Sequence, residues 1–217
     1  MHTTLNRMKR PWLIWLPPPA DERPDPGRRP GRRQRRWLGL VPVVLLLNGF
    51  QPLAAREAVV PSVGGTLPKL SLETPADEGD KKYLGLGKSG RFFLQQVDGP
   101  LLLVEIIGVY CPLCHKQAPG FNRLFQRIQR DPRLKTKVKF LAVAAGGTAT
   151  EIAYLRQEFS IPFPVISDAR FEAHKLLGEP RTPFTMLLDR NRKVVFAHLG
   201  VIEDLDSFFH KIAGLVP

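Results

Sequence analysis

Residues 101–109, LLLVEIIGV, are a nearly continuous apolar run of β-forming residues, with a length and composition that suit a strand buried on both faces. Just beyond Tyr110 the chain reads Cys111-Pro112-Leu113-Cys114-His115. Pro112 stands where proline suits the first turn of a helix. Phe121, Leu124, Phe125 and Ile128 then recur at spacings that fit one helical stripe, which Asp131-Pro132 ends near Arg130. A buried strand that passes through a cysteine pair directly into a helix demands an α/β architecture in which helices cover the sheet.

The rest of the chain agrees. Val138–Ala145 reads as a second buried strand, ended by Gly146-Gly147, and Thr150 opens a helix reaching about Phe159. Residues 162–167 read as a short extended piece, followed by a helix that Asp168 caps and that runs to Leu177 before Gly178. Phe184–Leu188 and Val194–Leu199 read as strands around the turn Asp189-Arg190-Asn191-Arg192, and residues 204–212 as a closing helix. Upstream, residues 91–96 suit a strand. Residues 56–90, rich in Gly, Pro and charge, suit an irregular lead-in with one or two short strands. The expected fold class is therefore α/β with a mixed central sheet flanked by helices, the main domain spanning 91–217.

The first 55 residues read as an address. Residues 27–36 hold six arginines, and residues 37–55 follow with no charge at all, an apolar core at 38–47 leading to small residues. That is the order of a secretory signal, with cleavage after Ala55. An uncleaved membrane anchor over 37–55 is the other reading, although Pro42, Asn48, Gly49, Gln51 and Pro52 suit a spanning helix poorly. Both readings leave the basic leader 1–36 inside and export everything from about residue 56. The charge distribution fits this: of the formal net charge of +12, residues 1–55 carry +7 and residues 56–217 carry +5. The high basicity is thus mostly the leader's, which argues against nucleic acid as a partner. The remaining basic run, 130–139, lacks interleaved aromatics and reads as a solvated helix end and strand edge.

The chain has two cysteines, which excludes a disulfide-framework miniprotein and a four-cysteine zinc site. Their spacing admits three chemistries. As a redox pair at a helix start, Cys111 gains from the helix dipole and unsatisfied N–H groups and acts as the exposed nucleophile. Cys114, one turn in, closes the ring and resolves a mixed disulfide. As Cys-x-x-Cys-His, the string is also the covalent c-type haem signature, with Met186, His174, His198 or His210 as candidate sixth ligand. As two thiolates plus His115, with His198 in reach, it is a copper site of the carrier type. A purely structural disulfide closes too small a loop to stabilise much.

These residues resemble the thioredoxin superfamily, in particular its exported TlpA-like disulfide reductases, over residues 60–215. The resemblance rests on the cysteine pair and on spaced companions: Glu105 six residues before the first cysteine, Pro119 five after the second, and Thr182-Pro183 where the family carries a cis-proline before a strand. The segment Ile161-Pro162-Phe163-Pro164-Val165, then Asp168, is similar to the stretch before that loop. Tyr110 stands where the family usually has Trp, Phe184 where its haem-maturation branch often has an acid, and His115 where Arg or Lys is more frequent.

The resemblance implies a thioredoxin-like fold and a thiol–disulfide oxidoreductase that needs no cofactor or metal. Cys111 and Cys114 would be the redox disulfide, and Glu105 a buried carboxylate accepting the Cys114 proton. Tyr110, Pro112, Thr182 and Pro183 would line the place where a client peptide lies, the backbone of Thr182 pairing with it as an added strand. Disulfide-containing client proteins and a membrane electron donor would be the partners, in the periplasm. A thiol peroxidase on the same fold is the alternative enzyme, but Gly108 occupies the place of the Thr it would need three residues before the nucleophile.

Overall fold

The computed structural model describes residues 59–87 and 90–216. The basic leader, the apolar stretch 37–55 and the cleavage position after Ala55 lie outside the described residues. Among the described residues no helix is long and apolar enough to cross a membrane.

The central sheet has five strands in the order β5-β4-β3-β6-β7. Its middle strand is β3, Leu101–Gly108, flanked by β4, Val138–Ala145, running parallel and by β6, Phe184–Leu188, running antiparallel. The outer strands are β5, Val165–Asp168, parallel to β4, and β7, Val194–Leu199, antiparallel to β6. A second sheet pairs β1, Ser71–Glu73, with β2, Arg91–Phe93. The helices are α1, Glu78–Leu84; α2, Pro112–Arg130; α3, Ala149–Glu158; α4, Glu172–Leu176; and α5, Leu205–Leu215.

Each side chain of β3 from Leu101 to Ile107 is buried, because alternate residues feed two cores. Leu101, Leu103 and Ile107 pack under α2, α3 and α5 with Phe121, Phe140, Phe163, Leu155 and Phe208. Leu102, Val104 and Ile106 face the opposite core with Leu70, Leu72, Leu84, Leu177 and Met186. The central strand therefore has no solvent face, as its continuous apolar run requires.

Several expectations change at the margins. The stretch 91–96 is a strand only through Phe93; residues Leu94–Gln96 turn as a short 3-10 helix. The lead-in supplies β1 and also a helix, α1, started by the Asp77 side chain accepting from Asp80 N and ended by Gly85 at φ 73°. Leu70, Leu72 and Leu84 enter the same core as β3, so this stretch packs with the residues after 91. The extended piece before Asp168 is the sheet's outer strand β5. Asp168 ends β5 rather than starting the next helix; its carboxylate accepts from the N–H groups of Ala173 and His174, and α4 begins only at Glu172. Arg192, placed in the last turn, is buried with its guanidinium on the carbonyls of Leu94 and Val97.

One edge detail matters later. Strand β5 pairs with β4 only from Ala142 onward, so Val138 to Leu141 have no strand partner on that side among the described residues. There the N–H of Phe140 donates to the Tyr83 hydroxyl at 2.9 Å, and Lys139 lies 4.6 Å from the Tyr83 ring centre.

Candidate active site

The cysteine pair sits where β3 turns into α2. Cys111 is the N-cap residue of α2: its extended backbone precedes the helix, and its sulfur accepts from Cys114 N at 3.2 Å. Pro112 fills the first helical position, where a missing N–H costs nothing. Cys111 N donates back to Gly108 O at 3.1 Å, which tightens the turn. Cys111 is half-buried, whereas Cys114 is 6% exposed, one turn along on the buried face of α2.

Electrostatics separates the two thiols. Burial opposes ionisation of Cys111. It is outweighed by hydrogen bonds from the Cys114 and Thr182 side chains and from the N–H groups of Cys114 and Leu113, and the thiol lies below its ordinary range. Burial, then the neighbouring Cys111 sulfur, push the Cys114 thiol strongly up. One sulfur is prepared as a thiolate and the other holds its proton.

The peptide bond Thr182-Pro183 is cis, and the Thr182 carbonyl faces the pair, accepting from Cys111 Sγ at 3.4 Å. Pro183 O in turn accepts from Gly200 N, fixing this loop against the end of β7. Glu105 is 4% exposed and lines a small enclosed cavity together with Cys114, His115, Phe159 and Phe163. Desolvation raises its carboxyl to about 8, against a smaller opposing effect from a hydrogen bond donated by Gln117 Nε2 at 2.6 Å. Tyr110 is 78% exposed, and its hydroxyl donates to Glu151 at 2.7 Å. The Thr148 hydroxyl first, then that bond and the Thr148 N–H, hold the Glu151 carboxyl down at about 2. Tyr110, His115, Tyr154 and Phe159 line an open groove of about 530 Å³ beside the pair, which also carries Glu151 and Glu158.

All the sequence-derived site residues, Cys111, Cys114, Glu105, Tyr110, Pro112, Thr182 and Pro183, thus meet at one end of the sheet. Gln117 was missed. Buried on α2, it bridges Glu105 to the loop after β7 by also accepting from Ile202 N at 2.8 Å. Its signal was a polar residue on the helix's buried stripe, three after Cys114 and four before Phe121.

The candidate ligands of the carrier readings have other contacts in the fold. His115 is held by Val109 O at 2.7 Å and stacks on Phe159 at 4.5 Å. Met186 lies in the core on the other face of the sheet. His174 and His198 are bonded to the carbonyls of Pro180 and Val201. Among the described residues no group of three or more His, Cys, Asp or Glu is placed to hold a metal ion.

A mixed sheet whose middle strand delivers a Cys-x-x-Cys helix start opposite a cis-proline, over a buried carboxylate, is a thioredoxin-like fold, and the chain is similar to thiol-disulfide oxidoreductases built on it. The chain is 29% identical over 116 residues to the thiol-disulfide oxidoreductase ResA of Geobacillus thermodenitrificans, covering 52% of this chain and 64% of that one, just under two thirds of the relative's length. It is 25% identical over 147 residues to ResA of Bacillus thuringiensis, covering 61% and 82%. Among solved structures, the thioredoxin domain of a thiol-disulfide oxidoreductase from Bacteroides vulgatus superposes with a TM-score of 0.55 at 14% identity, covering 72% of this chain and 99% of that one. No protein-family model matches the chain.

Proposed function

We propose that the chain is an exported thiol–disulfide oxidoreductase that reduces disulfides of other proteins. The observation that carries this reading is the split between the two thiols: Cys111 lowered and accessible, Cys114 raised and buried. The Cys111 thiolate attacks one sulfur of a client disulfide, forming a mixed disulfide and releasing the client's other sulfur as thiolate. In molecules where Glu105 is ionised, Cys114 then gives its proton to that carboxylate and attacks Cys111 Sγ. This closes the Cys111–Cys114 disulfide and frees the client's second thiolate, so two electrons pass to the client.

A carboxylate titrating at about 8 is a far better match to a high-pKa thiol than an ordinary glutamate, and this is the use of its burial. Tyr110, Pro112, Thr182 and Pro183 form the surface on which the client strand lies. A dithiol donor, embedded in the membrane by the family's habit, returns the electrons; no cofactor enters. The basic, then apolar, leader supports export to the periplasm, the domain being either released by cleavage near Ala55 or anchored.

The test is turnover of a disulfide-bonded protein with dithiothreitol as electron source. Cys111→Ser should abolish it, and Cys114→Ser should accumulate a mixed disulfide visible by mass spectrometry. Full turnover by Cys111→Ser would sink the mechanism. The reduction potential of the pair then fixes direction: a value near about −270 mV means a reductase, and one near about −120 mV an oxidant.

A further inference from the structure

The strands set two ends to the domain. Leu101 pairs with Val138, Leu102 with Leu188, and Leu188 with Val194, so the connections 98–100, 130–139 and 189–193 gather at the end away from Cys111. These three connections hold Arg130, Arg133, Lys135, Lys137, Lys139, Arg190, Arg192 and Lys193 against Asp98, Asp131 and Asp189. The rest of residues 56–217 has fourteen cations and fourteen acids. These three connections therefore carry +5, a value equal to the net charge of residues 56–217. Arg192 is turned inward and Lys139 rests on Tyr83, whereas Arg130, Arg133, Lys135, Arg190 and Lys193 are exposed.

The chain also arrives at this end. Gly64 N donates to Val194 O and Val194 N to Gly65 O, both at 2.8 Å, and Thr66 bridges Lys193. Only eight residues, 56–63, separate Gly64 from Ala55, the last of the uncharged stretch 37–55, and the nine steps between them span at most roughly 30 Å. The chain thus enters the described domain at its basic end.

We propose that this basic end docks on an anionic lipid surface, leaving the dithiol facing away from the bilayer toward clients. The proposal rests on the exported, membrane-side placement argued above. The occupant is lipid rather than a polyanion in solution because chain entry and charge coincide. The contact is electrostatic, so it is reversible and weakens with salt.

The test is partitioning of the full chain onto vesicles of equal parts phosphatidylglycerol and phosphatidylcholine, against phosphatidylcholine alone. Arg133→Gln, Lys135→Gln and Lys193→Gln together should lower partitioning onto the anionic vesicles by about tenfold or more, since each surface cation contributes severalfold. A control set at the dithiol end, Lys116→Gln, Arg170→Gln and Arg181→Gln, should leave it unchanged, which also cancels the leader's own arginines. Thermal unfolding of both sets reports that they fold. Equal losses from the two sets, or no loss from the first, would overturn the proposal. Because the vesicle assay does not read turnover, a wild type inactive toward disulfides would refute the redox reading alone.

Discussion

Glu105→Gln isolates the cost of keeping a carboxylate under the dithiol. In the fold its carboxyl titrates at about 8, against an ordinary value of 4.5 in the unfolded chain. Between those values the native protein keeps a proton that the unfolded chain has lost. Stability is therefore fully present below pH 4.5, falls as pH rises, and stops falling above pH 8. Three and a half pH units at about 1.4 kcal/mol each amount to about 5 kcal/mol, of which about 4 kcal/mol falls between pH 5 and pH 9. That is a large part of a typical domain's stability.

Glutamine keeps the shape and stays neutral, so the variant should match wild type near pH 4 and exceed it by about 4 kcal/mol at pH 9. Urea unfolding of both proteins across that range measures it, and taking the difference cancels the cysteines and the surface acids. Parallel curves from pH 5 to 9 would refute the reasoning, because they would mean that Glu105 is ionised or solvated in the fold. The same variant should turn over disulfides more slowly, with the resolving step affected. Stability lost at alkaline pH and proton acceptance gained would then trace to one buried group.

Other consequences follow from neighbouring contacts. Alkylation of Cys111 by iodoacetamide should show a pH midpoint below the ordinary thiol range, while Cys114 stays protected; equal reactivity would contradict the asymmetry. Gln117→Leu removes the bond that holds the Glu105 carboxyl down and leaves Ile202 N unpaired. The Glu105 titration, followed by carboxyl-carbon NMR, should move up, with a stability loss of about 1–3 kcal/mol. Arg156→Ala strands the largely buried Asp80 carboxylate, now paired at 2.6 Å, and should cost about 2 kcal/mol in urea unfolding. Phe140→Ala, at the centre of the Phe121 and Phe163 ring contacts, should cost about 3–5 kcal/mol.

What could be read from the sequence depended on how many faces an element buries. Strands β3 and β4 are buried on both, so their apolar runs announced them almost to the residue, and the helix between them showed its stripe. Helix α1 has the sequence EGDKKYL and buries only Asp80 and Leu84, so its periodicity is too thin to see. Its signals were local instead: Asp77 three residues before Asp80, and Gly85 at its end. Strand β5 was shortened into a link because Pro162 and Pro164 precede it and only four residues pair. Cys111 and Cys114 were legible because their spacing maps directly onto the strand–helix joint, whereas Glu105 and Pro183 were legible through the resemblance to the thioredoxin superfamily. Gln117 was not, since its bridge to Ile202 joins residues 85 apart.

The Tyr83 hydroxyl on Phe140 N has a consequence for the molecule in company. Where β4 outruns β5, the stretch Val138-Lys139-Phe140-Leu141 has no β5 partner, and an uncovered edge of that kind is one onto which another chain's strand can add; here Val138, Phe140 and Leu141 are fully buried. A phenol occupying the free donor, with an ammonium over its ring, turns that template into a finished surface. Tyr83→Phe keeps the packing and reopens the donor. Such a chain should still fold, with the buried Phe140 N–H left unpaired at a cost of about 1–3 kcal/mol in urea unfolding.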